Sequence, residues 1–214
     1  MHKRFASRVE ADSFVRRGPT PHAPAGHEEA SQRRTTAVYT DGSCLANADV
    51  AARRPVAGWA FVAVENGAVV AERSGRVVTD PGEPSFRGAE HGSNNTGELT
   101  AVIEALLWAR NRTPNVDELV VRYDSHYAAN MADGSWTPTR NFALVESARS
   151  AHDLAARVMS IGFEHVRAHS GNVMNERVDR LARGAVTDAV PTSSREAYPA
   201  HHDVAGRRGG SGEV

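Results

Sequence analysis

Four acidic residues stand in contexts that solvation alone does not explain. They are Asp41 in Tyr39-Thr40-Asp41-Gly42-Ser43, Glu98 in Asn94-Asn95-Thr96-Gly97-Glu98-Leu99, Asp124 in Tyr123-Asp124-Ser125, and Asp179, ten positions after His169. Taken singly, each has an ordinary reading. Asp41 and Gly42 could make a turn, although Gly42 and Ser43 are also the small residues needed where a backbone must approach a substrate. Glu98 falls in the first turn of a predicted helix, where the dipole welcomes a carboxylate. Asp124 ends a valine-rich strand and could open the next helix. Asp179 sits inside a helix although Asp is a poor helix former, on what could be a solvated face. Taken together, the four motifs form one joint pattern along the chain, and that pattern changes the odds.

The elements around these residues are legible from hydrophobic period. Thr36 to Thr40 reads as a strand breaking at Asp41-Gly42-Ser43, and Gly58 to Val64 and Ala68 to Val78 form two more, joined by the hairpin turn Glu65-Asn66-Gly67. Leu99, Val102, Ile103, Leu106 and Leu107 recur at helical spacing behind Asn95-Thr96, which could supply the N-cap, and the resulting helix is amphipathic. A strand over Leu119 to Tyr123 runs into Asp124. Helical patterns fill Ser125 to Met131 and Asn141 to Ser160, Phe163 to Ala168 is strand-like, and Asn172 to Ala185 is helical. The order βββαβααβα implies an α/β fold, a mixed sheet with helices on its faces. Ligands in such sheets collect at strand ends beside crossover connections, where Asp41 and Asp124 both lie.

The joint pattern resembles type 1 ribonuclease H. The resemblance rests on Tyr39 to Cys44, Asn94 to Leu99, Tyr123-Asp124-Ser125 and His165 to Asp179, in the family's order and spacing, and covers residues 36 to 186. It implies a ribonuclease H-like fold with a five-stranded mixed sheet flanked by helices. It also implies an endoribonuclease that hydrolyses the RNA strand of RNA–DNA hybrids by a two-metal-ion mechanism, leaving 5′-phosphate and 3′-hydroxyl ends. By similarity, Asp41, Glu98, Asp124 and Asp179 would bind two Mg²⁺ ions, with Mn²⁺ as substitute. A metal pair of this kind holds the attacking and leaving oxygens of an in-line displacement. His169 looks like the family histidine on the loop before the last helix, suited to proton transfer or product release. Gly42, Ser43, Cys44, Asn47, Asn94 and Asn95 match positions that line the hybrid's minor groove and contact 2′-hydroxyls, the group that tells RNA from DNA. Asn172 and Asn175 could support the histidine loop or the metal ligands, or cap the helix. His165 is read as structural.

Composition bounds the rest. Among residues 36 to 186 there are 18 acidic and 15 basic side chains. A balance of this sign counts against simple electrostatic binding of nucleic acid unless the carboxylates are concentrated in a metal site. A single cysteine, Cys44, excludes a disulfide framework within the chain and a multi-cysteine zinc site, so a cytoplasmic setting is expected. No run approaches a membrane span. Residues 1–35 are read as a flexible basic arm, 36–186 as the catalytic domain and 187–214 as a flexible tail. A monomer without a small-molecule cofactor is expected, with the hybrid duplex as its partner.

The sequence departs from the family's pattern in two respects. Some bacterial members carry a lysine- and tryptophan-rich handle after the third acidic residue, whereas Asp133 to Arg140 is short, lacks lysine and keeps one tryptophan, Trp136. The fold therefore lacks a full basic handle. The arm bearing Lys3, Arg4, Arg8, Arg16, Arg17, Arg33 and Arg34 could take over its phosphate contacts, or serve only as a solubilising tail. Extra sequence at 49–56 and 81–92 flanks the active face. The readings that compete with a hybrid-cutting enzyme are a non-catalytic hybrid-binding module and a different nuclease of the same fold.

Overall fold

A computed structural model describes residues 33–45, 55–167 and 171–187. In chain order the elements are β1 (Thr35–Cys44), β2 (Ala57–Glu65), β3 (Ala68–Arg76), α1 (Asn94–Arg110), β4 (Glu118–Tyr123), α2 (His126–Ala132), α3 (Phe142–Ala156), β5 (Ser160–His165) and α4 (Val173–Thr187). The strands form one five-stranded sheet in the order β3-β2-β1-β4-β5. The first three are antiparallel neighbours, and β4 and β5 pair parallel with their neighbours. The expected mixed sheet and element order are therefore observed.

Alternation along the strands explains the two layers of helices. Val38 and Phe61 face α1, α2 and α3 in the main core, together with Leu99, Ile103, Leu106, Leu119, Val121 and Leu144. Their neighbours Tyr39, Ala60 and Val62 point to the opposite face, where Val178 and Ala182 of α4 cover them. A period of two on each strand thus feeds both faces. The hairpin is built as its residues require, with Asn66 at φ 51° and Gly67 at φ 79°, the left-handed pair that matches strand twist.

Three expectations need correction. The first concerns α1, whose N-cap is Ser93 rather than Asn95-Thr96. The Ser93 side chain accepts the Thr96 amide at 3.2 Å, and the Thr96 hydroxyl accepts the Ser93 amide at 2.8 Å. This reciprocal pair satisfies two otherwise orphaned donors. Nor is α1 amphipathic: nearly every residue from Thr96 to Ala109 is buried. Its polar members are satisfied within the core, Thr100 by the Thr96 carbonyl at 2.6 Å and Glu104 by Arg87 at 2.7 Å. The second correction is to β5, which begins at Ser160 and ends at His165, because its register with β4 runs from Glu118↔Ser160 to Tyr123↔His165. Pairing with β4 overrides the weak strand preference of Ser160 and Gly162. The third is that β1 does not break at Asp41 but continues through Cys44.

The segment 81–92 is anchored near its middle, at Arg87 and Gly88. Arg87 reaches Glu104 of α1, and Gly88, at φ 101°, packs so closely that an added Cβ would stand 2.6 Å from the Ala143 carbonyl carbon. The boundary residues of the arm also belong here: Arg34 pairs with Asp117 at 3.1 Å, and Thr35 opens β1. Residues 1–32 and 188–214, and with them most of the arm and tail, lie outside the described residues.

Candidate metal centre

The parallel register of β1 and β4 ends at Thr40↔Tyr123. Asp41 and Asp124 are the next residue on each strand, so two carboxylates emerge side by side where β4 stops and β1 runs on beside β2. Glu98 arrives from α1, five residues in from the helix start, and therefore beyond the first turn where a dipole account would place it. One ligand oxygen from each of Asp41, Glu98 and Asp124 lies within 4.8 Å of the others.

What brings α1 against β1 is glycine on glycine. A Cβ on Gly97 would stand 2.5 Å from the Gly58 carbonyl oxygen and 3.1 Å from Gly42 Cα. A Cβ on Gly42 would come within 2.8 Å of Glu98 Cα, and closer still to the Glu98 amide nitrogen. With no side chain on either residue, the backbones touch and Glu98 is delivered to Asp41.

The electrostatics are those of an uncompensated acidic site. Asp41 is 6% exposed and Glu98 4%. Burial pushes the Asp41 carboxyl up to about 7, with the charge of Asp124 and more weakly that of Asp179 adding to it and the Gly42 amide, 2.8 Å from Oδ1, pulling the other way. Burial first, and then the charges of Asp41 and Asp124, hold Glu98 well above the usual carboxylate range. Like charges in a dry setting resist ionising together. A divalent cation is the ligand that relieves this.

The donor set passes that test. All three converging donors are carboxylate oxygens, the hard ligands Mg²⁺ and Mn²⁺ take. Opposed ligands on Mg²⁺ stand about 4.2 Å apart, so small side-chain rotations would bring these oxygens onto one ion.

The fourth carboxylate is placed differently. Asp179 lines the same cleft, a cavity of about 390 Å³, but it is bonded to Arg183 at 2.8 Å and is not part of the close trio. Of the six expected substrate contacts, Gly42, Ser43 and Asn94 line this cleft. Cys44 and Asn95 do not line it, and Asn47 and His169 lie outside the described residues. His165, read as structural, is exposed and stacks on His126 with ring centroids 4.3 Å apart.

Sequence reasoning passed over Ser125, Glu176 and Arg183 and left Asn175 open; all four line the cleft. The signal was available for three of them. Asn175, Glu176 and Arg183 are four before, three before and four after Asp179, the spacing that shares a helix face. Asn172 proves to be the cap of α4, its Oδ1 accepting the amides of Met174 and Asn175, each at 3.1 Å. Asn172→Ala is expected to cost about 1 kcal/mol, the usual value of such a cap, read as a lowered urea midpoint. Asn175 is 4% exposed, and its Nδ2 donates to Asp124 Oδ2 at 3.4 Å.

The sequence matches the RNase H family over residues 33–187. It is similar to the ribonuclease H of Rhodopseudomonas palustris (strain TIE-1), 32% identical over 174 residues that cover 75% of this chain and 94% of that protein. Among solved structures it is similar to RNase H1 from the halophilic archaeon Halobacterium salinarum NRC-1. There the TM-score is 0.54 at 25% identity, covering 72% of this chain and 99% of that one. It shares its fold with LC11-RNase H1, solved in complex with an RNA/DNA hybrid, at a TM-score of 0.53 and 21% identity, covering 71% and 96% of the two chains.

Proposed function

The chain belongs to the RNase H family, and from that membership we propose that it hydrolyses the RNA strand of RNA–DNA hybrids at this cleft, leaving 5′-phosphate and 3′-hydroxyl ends. The observation that carries the reading is the convergence of Asp41, Glu98 and Asp124, from three separate stretches of chain, to within 4.8 Å. Asp41, Glu98, Asp124 and Asp179 are the residues that would hold a pair of Mg²⁺ or Mn²⁺ ions. When bound, the ions supply Lewis-acid stabilisation of the attacking and leaving oxygens.

The protein's own groups do the positioning. The Gly42 amide fixes one oxygen of Asp41, and the Asn175 amide group holds Asp124 Oδ2. Gly42, Ser43 and Asn94, with Cys44, Asn47 and Asn95 beside them in sequence, are the proposed contacts to the minor groove and to 2′-hydroxyls. Small polar groups suit that surface, since the 2′-hydroxyl both donates and accepts. His169 is proposed to move a proton or assist product release, tasks suited to an imidazole titrating near neutrality. Among the described residues no helix is long and apolar enough to cross a membrane. A cytoplasmic monomer completes the proposal.

Labelled RNA–DNA, DNA–DNA and RNA–RNA duplexes, incubated with the protein with and without Mg²⁺, test it directly. Cutting confined to the RNA of the hybrid and stopped by a chelator is expected. Binding of the hybrid without cutting would indicate a non-catalytic module, and equal attack on DNA–DNA a different nuclease.

A further inference from the structure

Arg183 is the sole cationic side chain among the described residues that line the cleft. It stands one helical turn beyond Asp179 on α4, with 59% of its side chain exposed against 24% for Asp179, and the two are bonded at 2.8 Å. The remaining acidic trio lies within 4.8 Å without it. In this arrangement three carboxylates are free to serve one divalent ion, while the fourth already has a counter-cation.

We propose that Arg183 is an exchangeable counter-ion that withholds Asp179 from a second divalent cation until the RNA phosphate enters the cleft. The proposal rests on the ribonuclease reading above and deepens it. The energetics allow the exchange: a half-exposed ion pair between residues four apart on a helix is weak and easily given up. The chemistry gives the released group a destination, because a guanidinium pairs with phosphate oxygens in the same forked geometry it uses with a carboxylate. Asp179 and Arg183 point into one cleft, so a phosphate bound there competes with Asp179 for the guanidinium. Freeing Asp179 then restores a full negative charge to the cation site. Substrate and second cation are thereby coupled, each favouring the other as linkage requires. Arg183 is a positioning residue for Asp179 in the free protein and a phosphate contact in the complex.

The test is Mn²⁺ binding to the free protein by titration calorimetry, followed by hybrid cleavage kinetics. Wild type is expected to bind one Mn²⁺ more tightly than a second. Arg183→Gln should tighten the second event roughly two- to fivefold, the scale of the ion pair removed, and raise KM for the hybrid. Arg183→Lys, which keeps the charge, should restore most of the wild-type isotherm, and Asp179→Asn should weaken the second event. An Arg183→Gln isotherm identical to or weaker than wild type overturns the proposal, as does a raised KM with Mn²⁺ binding unmoved. Failure of the underlying reading looks different: wild type then binds no Mn²⁺, or Asp41→Asn binds it as wild type does.

Discussion

With metal absent, Asp41→Asn protein is expected to be more stable than wild type at pH 8, and with Mg²⁺ supplied to cut hybrids at no more than about a thousandth of the wild-type rate, the loss that follows from removing several kcal/mol of charge stabilisation. The two effects share one cause. The Asp41 carboxyl stands near 3.8 in an unfolded chain and is pushed up to about 7 in the folded one, chiefly by burial and then by the charge of Asp124. Between those values the folded state holds a proton that the unfolded state has lost, so the stability of the metal-free protein falls as pH rises from about 4 to about 7. Above that range the full penalty is present, up to roughly 4 kcal/mol for a displacement of this size. Asparagine cannot ionise and escapes it. Thermal unfolding in chelator should therefore show the variant and wild type converging near pH 4 and separating as pH rises. Added Mg²⁺ should raise the melting temperature of wild type and close the gap. Asp124→Asn, which removes the charge acting on both Asp41 and Glu98, should likewise abolish cleavage with the fold intact. If Asp41→Asn proves less stable than wild type at pH 8 without metal, the carboxylates are not in conflict and the argument for a cation there fails.

The site was more legible in the sequence than the packing that assembles it, and particular residues show why. Asp41 and Asp124 could be paired from sequence because each follows a short apolar run, and strand ends are where a parallel pairing exposes the next side chain. The expectation that β1 breaks at Asp41 failed because the length of β1 is set by β2, which pairs with it as far as Cys44↔Ala57, and nothing local to Asp41-Gly42-Ser43 records that partner. Helix α1 was found from its period of 3.6, yet its burial on nearly every side depends on α2, α3 and the sheet closing around it. A polar residue such as Glu104 reads as a solvated face until Arg87, 17 positions earlier, is seen beside it. Asp179 was recognised by its oddity inside a helix, but the arginine that occupies it was not sought, although it stands at the spacing where helical ion pairs form.

Gly42→Ala, the smallest change available, is expected to be among the most damaging substitutions in the chain. Gly42 needs no unusual backbone angle; what it supplies is absence. The Cβ of alanine would meet the Glu98 amide and the Gly97 carbonyl carbon well inside contact distance, and Glu98 Cα at 2.8 Å. All three are backbone atoms, so no side-chain rotation can relieve the clash. Either β1 or the start of α1 must shift, and α1 is wedged between the sheet and α3 with its own Gly97 already against the Gly58 carbonyl oxygen. Overpacking a closed core costs about 1–3 kcal/mol where side chains can yield, and a clash confined to backbone belongs at or above the top of that range. The same displacement pulls Glu98 away from Asp41, so divalent affinity should fall together with stability. Urea unfolding and Mn²⁺ titration of Gly42→Ala read the two quantities separately. Loss of both ties the cation site to the touching backbones of β1 and α1; a variant with a wild-type midpoint and isotherm would mean that something other than this contact sets the distance between Asp41 and Glu98.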